Sequence, residues 1–183
     1  YDWTAHCKFD GGPVSYSKHS HAESCDEPAF APFLPPLPNS YNVFKEPIES
    51  PSHGVRTNVT APWNLTYSPY GWHDTNGANG NEYTITRGNN VWAMEDANGN
   101  DGTGTSPDGG PTLSFDFPLN FNGQPSTYQS AAVTNLFYWN NVMHDMAYTY
   151  GFDEAAGNFQ ANNYGNGGAG NDFVNAEAQD GSG

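Results

Sequence analysis

Basic residues are scarce in this chain. Five Lys and Arg stand against 20 Asp and Glu, a formal net charge of −15 over 183 residues. Phosphate binding needs clustered cations, and here they are scattered singly, which excludes nucleic acid as a partner; the same repulsion excludes anionic membrane surfaces. Long apolar runs are missing too. No window reaches the roughly 18 consecutive apolar residues that a membrane-spanning helix needs. Leu, Ile, Val and Phe together number only 27, a composition that with this charge approaches that of disordered chains. The aromatic fraction of 15% opposes that reading, because each ring buries a large area. A folded protein follows, with an aromatic-rich core and long polar loops built from the plentiful Gly, Asn and Pro.

Cysteine is nearly absent. The pair Cys7 and Cys25 in an acidic, Lys-poor chain points to an oxidising compartment and one local disulfide, with two free thiols as the alternative. No signal peptide opens the chain, so secretion is inferred rather than read. His6, His19 and His21 lie near the cysteines, but their spacing fits no regular zinc finger.

What is there divides at the proline-rich run FLPPLPN, Phe33 to Asn39, which reads as an extended junction. Before it, residues 1–12 read as a strand ending at Gly11-Gly12. After it the pattern is β. Tyr83, Ile85 and Arg87 alternate with Thr84 and Thr86, and Gly88-Asn89-Asn90 supplies turn chemistry before Val91, so residues 83–94 predict a hairpin. In TLSFDFPLNF, Leu113, Phe115 and Phe117 are predicted to face inward, with Ser114 and Asp116 outward. A long helix follows. Ser126 and Gln129 form a capping-box pattern, and Ala132, Leu136, Trp139, Met143, Met146 and Tyr150 form one apolar stripe, flanked by Val133, Phe137 and Val142. Gly151 is the predicted stop.

Two clusters carry candidate chemistry. On the helix, His144 and Asp145 are neighbours with Asn140, Asn141 and Tyr148 beside them. Adjacent helical residues point about 100° apart and cannot share one metal, and no second His stands at i+4. A hydrogen-bonded polar edge against a neighbouring element is the simpler reading. In EDANGNDGTGTSPDGG, Asp96, Asn98 and Asn100 alternate and Asp101 follows, hard oxygen donors on a Gly-flexed loop that suit calcium. The loop is not an EF-hand, since its sixth and twelfth positions are Asp101 and Pro107; a solvated acidic turn is the alternative. Asn58-Val59-Thr60 and Asn64-Leu65-Thr66 are glycan acceptor tripeptides, usable only in a secreted chain of a glycosylating host.

The segment order SYNVFKEPIESPSHGVRT, APWNLTYSPYGWHD, YTITRGNNVWA, LSFDFPLN, then AAVTNLFYWNNVMHDMAYTYGFDEAAGNFQANNYGNGGAGND and AEAQDGSG resembles the fungalysin family of secreted zinc metalloendopeptidases. The likeness covers residues 40 to 183 almost continuously, with the insertion at 95–110 closer to bacterial members. Residues 1–12 are similar to the last strand of that family's propeptide. The resemblance implies the end of a propeptide at 1–32, a junction at 33–40, and at 41–183 an incomplete N-terminal lobe. It implies an α+β fold of thermolysin-like architecture: a mainly β lobe with one long buried helix, followed by a helical lobe, with zinc in the cleft between them. In the family, H-E-x-x-H and a downstream Glu hold zinc, which activates a water for attack on the peptide bond. No H-E-x-x-H occurs in these 183 residues, so the resemblance places the zinc ligands after Gly183 and makes His144 and Asp145 structural. The implied partners are the zinc-bearing lobe, joined covalently or as a nicked fragment, and protein substrates. The rival expectation is a stand-alone, non-catalytic β-rich module that binds calcium or carbohydrate. Such a module would leave the helix stripe exposed unless its own sheet covered it.

Overall fold

The computed structural model describes residues 39–181. The strand, disulfide and propeptide expectations at residues 1–32, including Cys7 and Cys25, and nearly all of the 33–40 junction lie outside the described residues.

The fold is α+β, built from five short strands and one long helix: β1 (Ser40–Val43), β2 (Thr57–Thr60), β3 (Val91–Glu95), β4 (Ser114–Phe115), α1 (Gln129–Thr149) and β5 (Val174–Ala178). In one sheet β1 lies between β2, antiparallel to it, and β4, parallel to it. In the other, β3 and β5 run parallel with Val91 opposite Val174 and Glu95 opposite Ala178. Helix α1 packs against β1, β3 and β5, so one helix face covers both sheets.

Alternation sets what faces the helix. Leu113 and Phe115 are buried and Ser114 and Asp116 exposed, as their pattern predicts, although the strand is only two residues long before Pro118. The core is a stack of rings: Tyr41 lies 5.2 Å from Phe115 at an interplanar angle of 4°, and His73 lies 4.9 Å from Phe137. Trp72 meets Phe137 edge-on at 6.2 Å. Offset and edge contacts of this kind add to the area that aromatic side chains bury, which offsets the shortage of aliphatic residues.

The predicted hairpin at 83–94 is present only as a fragment. Arg87 bridges Trp92, and the Ala93 amide donates to the Thr86 carbonyl, but residues 83–87 make no regular strand because Ile85 turns to bridge Asp108 instead. The turn requires Gly88: a Cβ there would lie 1.6 Å from the Trp72 carbonyl oxygen.

The helix departs from its sequence pattern in two ways. The capping box does not form. Ser126 sits in a separate 3-10 turn (Pro125–Thr127), and the Gln129 side chain reaches Glu95 Oε2 at 3.3 Å. The C-terminus is as predicted: Gly151 has φ 93°, its amide donates to the Tyr148 carbonyl, and the Phe152 amide donates to Ala147, a Schellman ending. The buried face is also different. Val133, Thr134, Phe137, Tyr138 and Asn141 point into the core, while Met143, Met146 and Tyr150 are 55%, 42% and 87% exposed. Polar Asn141 goes inside because it is satisfied there. Its Oδ1 accepts from Asn90 Nδ2 at 3.1 Å and its Nδ2 donates to the Phe137 carbonyl at 2.9 Å, and a hydrogen-bonded amide carries little burial penalty.

Candidate functional site

The parallel register of β3 and β5 sets Met94 beside Glu177, so Glu177 stands where the chain leaves β3 and turns at Asp96. Asp96 is buried. One carboxylate oxygen accepts from the Asn100 amide at 3.2 Å and the other from the Asp101 amide at 2.9 Å, while its backbone carbonyl accepts from the amides of Gly99 and Gly181. This wraps the loop around the Asp96 side chain and brings Asp101, at φ 53°, back towards β5. One carboxylate oxygen each from Asp96, Asp101 and Glu177 lies within 4.8 Å of the others. Partial burial, then the charges of Asp96, Asp101 and Asp180, push the Glu177 carboxyl above its ordinary range. Three hard oxygens so placed suit either a divalent cation or a retained proton.

Asn98 and Asn100, grouped with Asp96 and Asp101 by sequence, are exposed, and Asn100 Oδ1 accepts from the Gly102 amide at 2.8 Å. Glu177 was not singled out in the sequence, because its place follows from strand register and no local motif marks it.

The His144–Asp145 pair is assembled by contacts from two other segments. The His144 Nδ1–H donates to Asp145 Oδ1 at 3.1 Å, and Asp145 Oδ2 accepts from the Asn64 amide at 3.2 Å. With Nδ1 protonated, His144 Nε2 is left as an acceptor facing Asn158 Nδ2 at 3.5 Å. The pair therefore ties α1 to the 61–67 turn and to the 158–172 loop, as the simpler reading of the sequence has it. Further along α1, Tyr148 donates to the buried Glu154 at 2.7 Å; burial, with that neighbouring carboxylate, pushes the phenol up to about 12.

Asn58 and Asn64 are both exposed, and Asn64 Oδ1 accepts from the Thr66 amide at 2.8 Å within its own tripeptide. The histidine of the core, His73, is fully engaged: its Nδ1–H donates to the Arg87 carbonyl at 3.0 Å and its Nε2 accepts from the Tyr41 hydroxyl at 2.9 Å. Burial depresses it to about 4. Among the described residues no two histidines come together with a carboxylate, and the acidic trio is the one group in which three His, Cys, Asp or Glu side chains converge. Zinc favours nitrogen and sulfur donors in a tetrahedral set, so the described residues do not make a catalytic zinc site.

The sequence profile described as Fungalysin metallopeptidase matches residues 40–183. The chain is 45% identical over 145 residues to "Extracellular metalloproteinase 5" of Trichophyton tonsurans, an alignment that covers 79% of this chain and 23% of the relative. It is 46% identical over 147 residues to "Probable extracellular metalloproteinase 5" of Trichophyton verrucosum, with the same coverage. It is 44% identical over 147 residues to "Probable extracellular metalloproteinase 2" of Arthroderma benhamiae. The chain thus spans 23% of the length of the curated relatives it matches. A match over nearly all of the described fold, at this identity, assigns membership: the chain belongs to the fungalysin metallopeptidase family.

Proposed function

We propose that this chain is the N-terminal portion of a secreted zinc metalloendopeptidase, forming one wall of a cleft whose zinc ligands lie in polypeptide after residue 183. The observation that carries this reading is the family match over residues 40–183 in a chain that spans only 23% of its relatives and holds no H-E-x-x-H. The relatives' names, extracellular metalloproteinases, support secretion and peptide-bond hydrolysis. The exposed ridge of Met143, Met146 and Tyr150 supports a covering partner, the remainder of the same polypeptide. No catalytic step is assigned to residues 39–181. Their part is to hold the wall rigid. Residues 1–32 are proposed as the end of a propeptide with Cys7 bonded to Cys25, and Asn58 and Asn64 as glycan carriers in a glycosylating host.

The test is casein hydrolysis by the purified full-length protein, with its intact mass measured in parallel. The expected result is activity abolished by a zinc chelator and restored by added zinc, with H-E-x-x-H among the extra peptides. A full-length protein without that motif and without chelator-sensitive hydrolysis would overturn the reading and leave a β-rich binding module.

Calcium at Asp96, Asp101 and Glu177 is a second reading, favoured by the convergence of their oxygens within 4.8 Å. Calcium added to the chelated full-length protein is expected to raise its melting temperature, and Glu177→Gln to remove most of that rise. An unchanged melting temperature in the unsubstituted protein would rule the site out.

A further inference from the structure

Among the described residues Arg87 is a cation packed against rings and without an anion. Its guanidinium carbon lies 4.4 Å from the centroid of Tyr83, 4.4 Å from that of Trp92 and 5.4 Å from that of Phe173. The fold places these residues together on one face. Arg87 is the bridge partner of Trp92, and Phe173 precedes Val174, which pairs with Val91. This face is turned away from α1, because Val91, Ala93 and Ala176 take the buried side of the same strands.

The guanidinium makes no side-chain hydrogen bond among the described residues, and the ion pairs found there are His53–Glu49 and His144–Asp145. That is informative in a protein with 20 acidic residues. A guanidinium that packs on aromatic rings through its flat faces keeps its in-plane N–H donors available for an anion. Packing against three rings removes part of the ion's hydration, and a planar carboxylate restores it through two parallel charge-assisted hydrogen bonds. Trp92 Nε1 is already committed to Ser106 Oγ at 3.0 Å, which fixes one wall of the cage.

We propose that Arg87, held by Tyr83, Trp92 and Phe173, is a recognition point for a carboxylate group presented from outside this chain. The rings set the orientation of the fork, and the fork supplies the selectivity.

The test uses the full-length protein with isotope-labelled arginine, the Arg87 Nε–H resonance being assigned by its loss in Arg87→Lys. N-acetylglycine is titrated against N-acetylglycinamide at constant ionic strength, a pair that differs in the carboxylate alone. A saturable downfield shift of the Arg87 signal with the acid, at least fivefold larger than with the amide, is the expected result. Trp92→Leu, which removes one wall, is expected to weaken the apparent affinity severalfold while the Arg56 signal stays unmoved. An Arg87 signal that does not move, or that moves equally with both compounds, would overturn the proposal and leave a purely structural stack. So would a Trp92→Leu variant that melts normally and binds unchanged.

Discussion

His73 shows how one residue can dominate the pH response of a fold. Enclosed by Tyr41, Phe115 and Phe137, it is held neutral, with its folded value about 4 against an ordinary 6.5. The unfolded chain takes up a proton as pH falls below about 6.5, and the native state does not until about 4. The stability is therefore full above pH 6.5 and is lost as pH falls towards 4, by about 3 kcal/mol for this group. Urea unfolding of the full-length protein at neutral pH and near pH 4.5 checks it, and His73→Gln is expected to flatten the dependence. A second residue prediction concerns Gly88. With the Trp72 carbonyl 1.6 Å from the Cβ position, Gly88→Ala is expected to cost about 3 kcal/mol or more, read as a lower urea midpoint. The sequence marked Gly88 as a turn residue. That the turn is pressed against Trp72 follows from tertiary packing, which no local pattern encodes.

Helix α1 is the element where sequence and structure can be compared most closely. Its existence and its stop at Gly151 were legible, since a long periodic segment and a C-terminal glycine are local signals. Its buried face was not. Thr134 and Asn141 go inward with bonds to the helix's own carbonyls four residues back, while Asn141 also meets Asn90 and His144 meets Asn158, two partners that lie outside the helix. Asn141→Ala would leave the buried Asn90 Nδ2 without this acceptor, at an expected cost of about 1–3 kcal/mol in thermal or urea unfolding. The acidic loop divides in the same way. Asp96 and Asp101 were visible as candidate ligands, whereas Glu177 required the register of β3 against β5.

At the scale of the whole molecule, the outward ridge of α1 is the informative surface. Met143→Glu with Met146→Glu places two charges on residues that are exposed in the described structure. On an open surface such changes cost at most about 0.5 kcal/mol. Covered by the rest of the polypeptide, as proposed, the double variant is expected to lose several degrees of melting temperature and most of its casein hydrolysis. Wild-type-like melting and activity would mean the ridge faces water in the complete protein. The family was legible in the sequence through the order of its segments, because long matched stretches carry far more information than any single motif here.

The loop after α1 is held largely by amide side chains, and amides age. Asn166 is followed by Gly167 at φ 96°, and its Nδ2 donates to Oε1 of the buried Glu154 at 3.2 Å. Asparagine before glycine loses ammonia readily by attack of the next backbone nitrogen, and hydrolysis of the ring leaves an acid. Here that spontaneous change would turn a donor into an anion facing a buried carboxylate, with Tyr148 bonded to the same group. We predict that stored protein, followed by peptide mass at Asn166, loses melting temperature in step with the conversion, and that Asn166→Asp made directly starts at the aged value. A directly made variant that melts like the fresh protein would remove Asn166 as the clock that sets this protein's working lifetime.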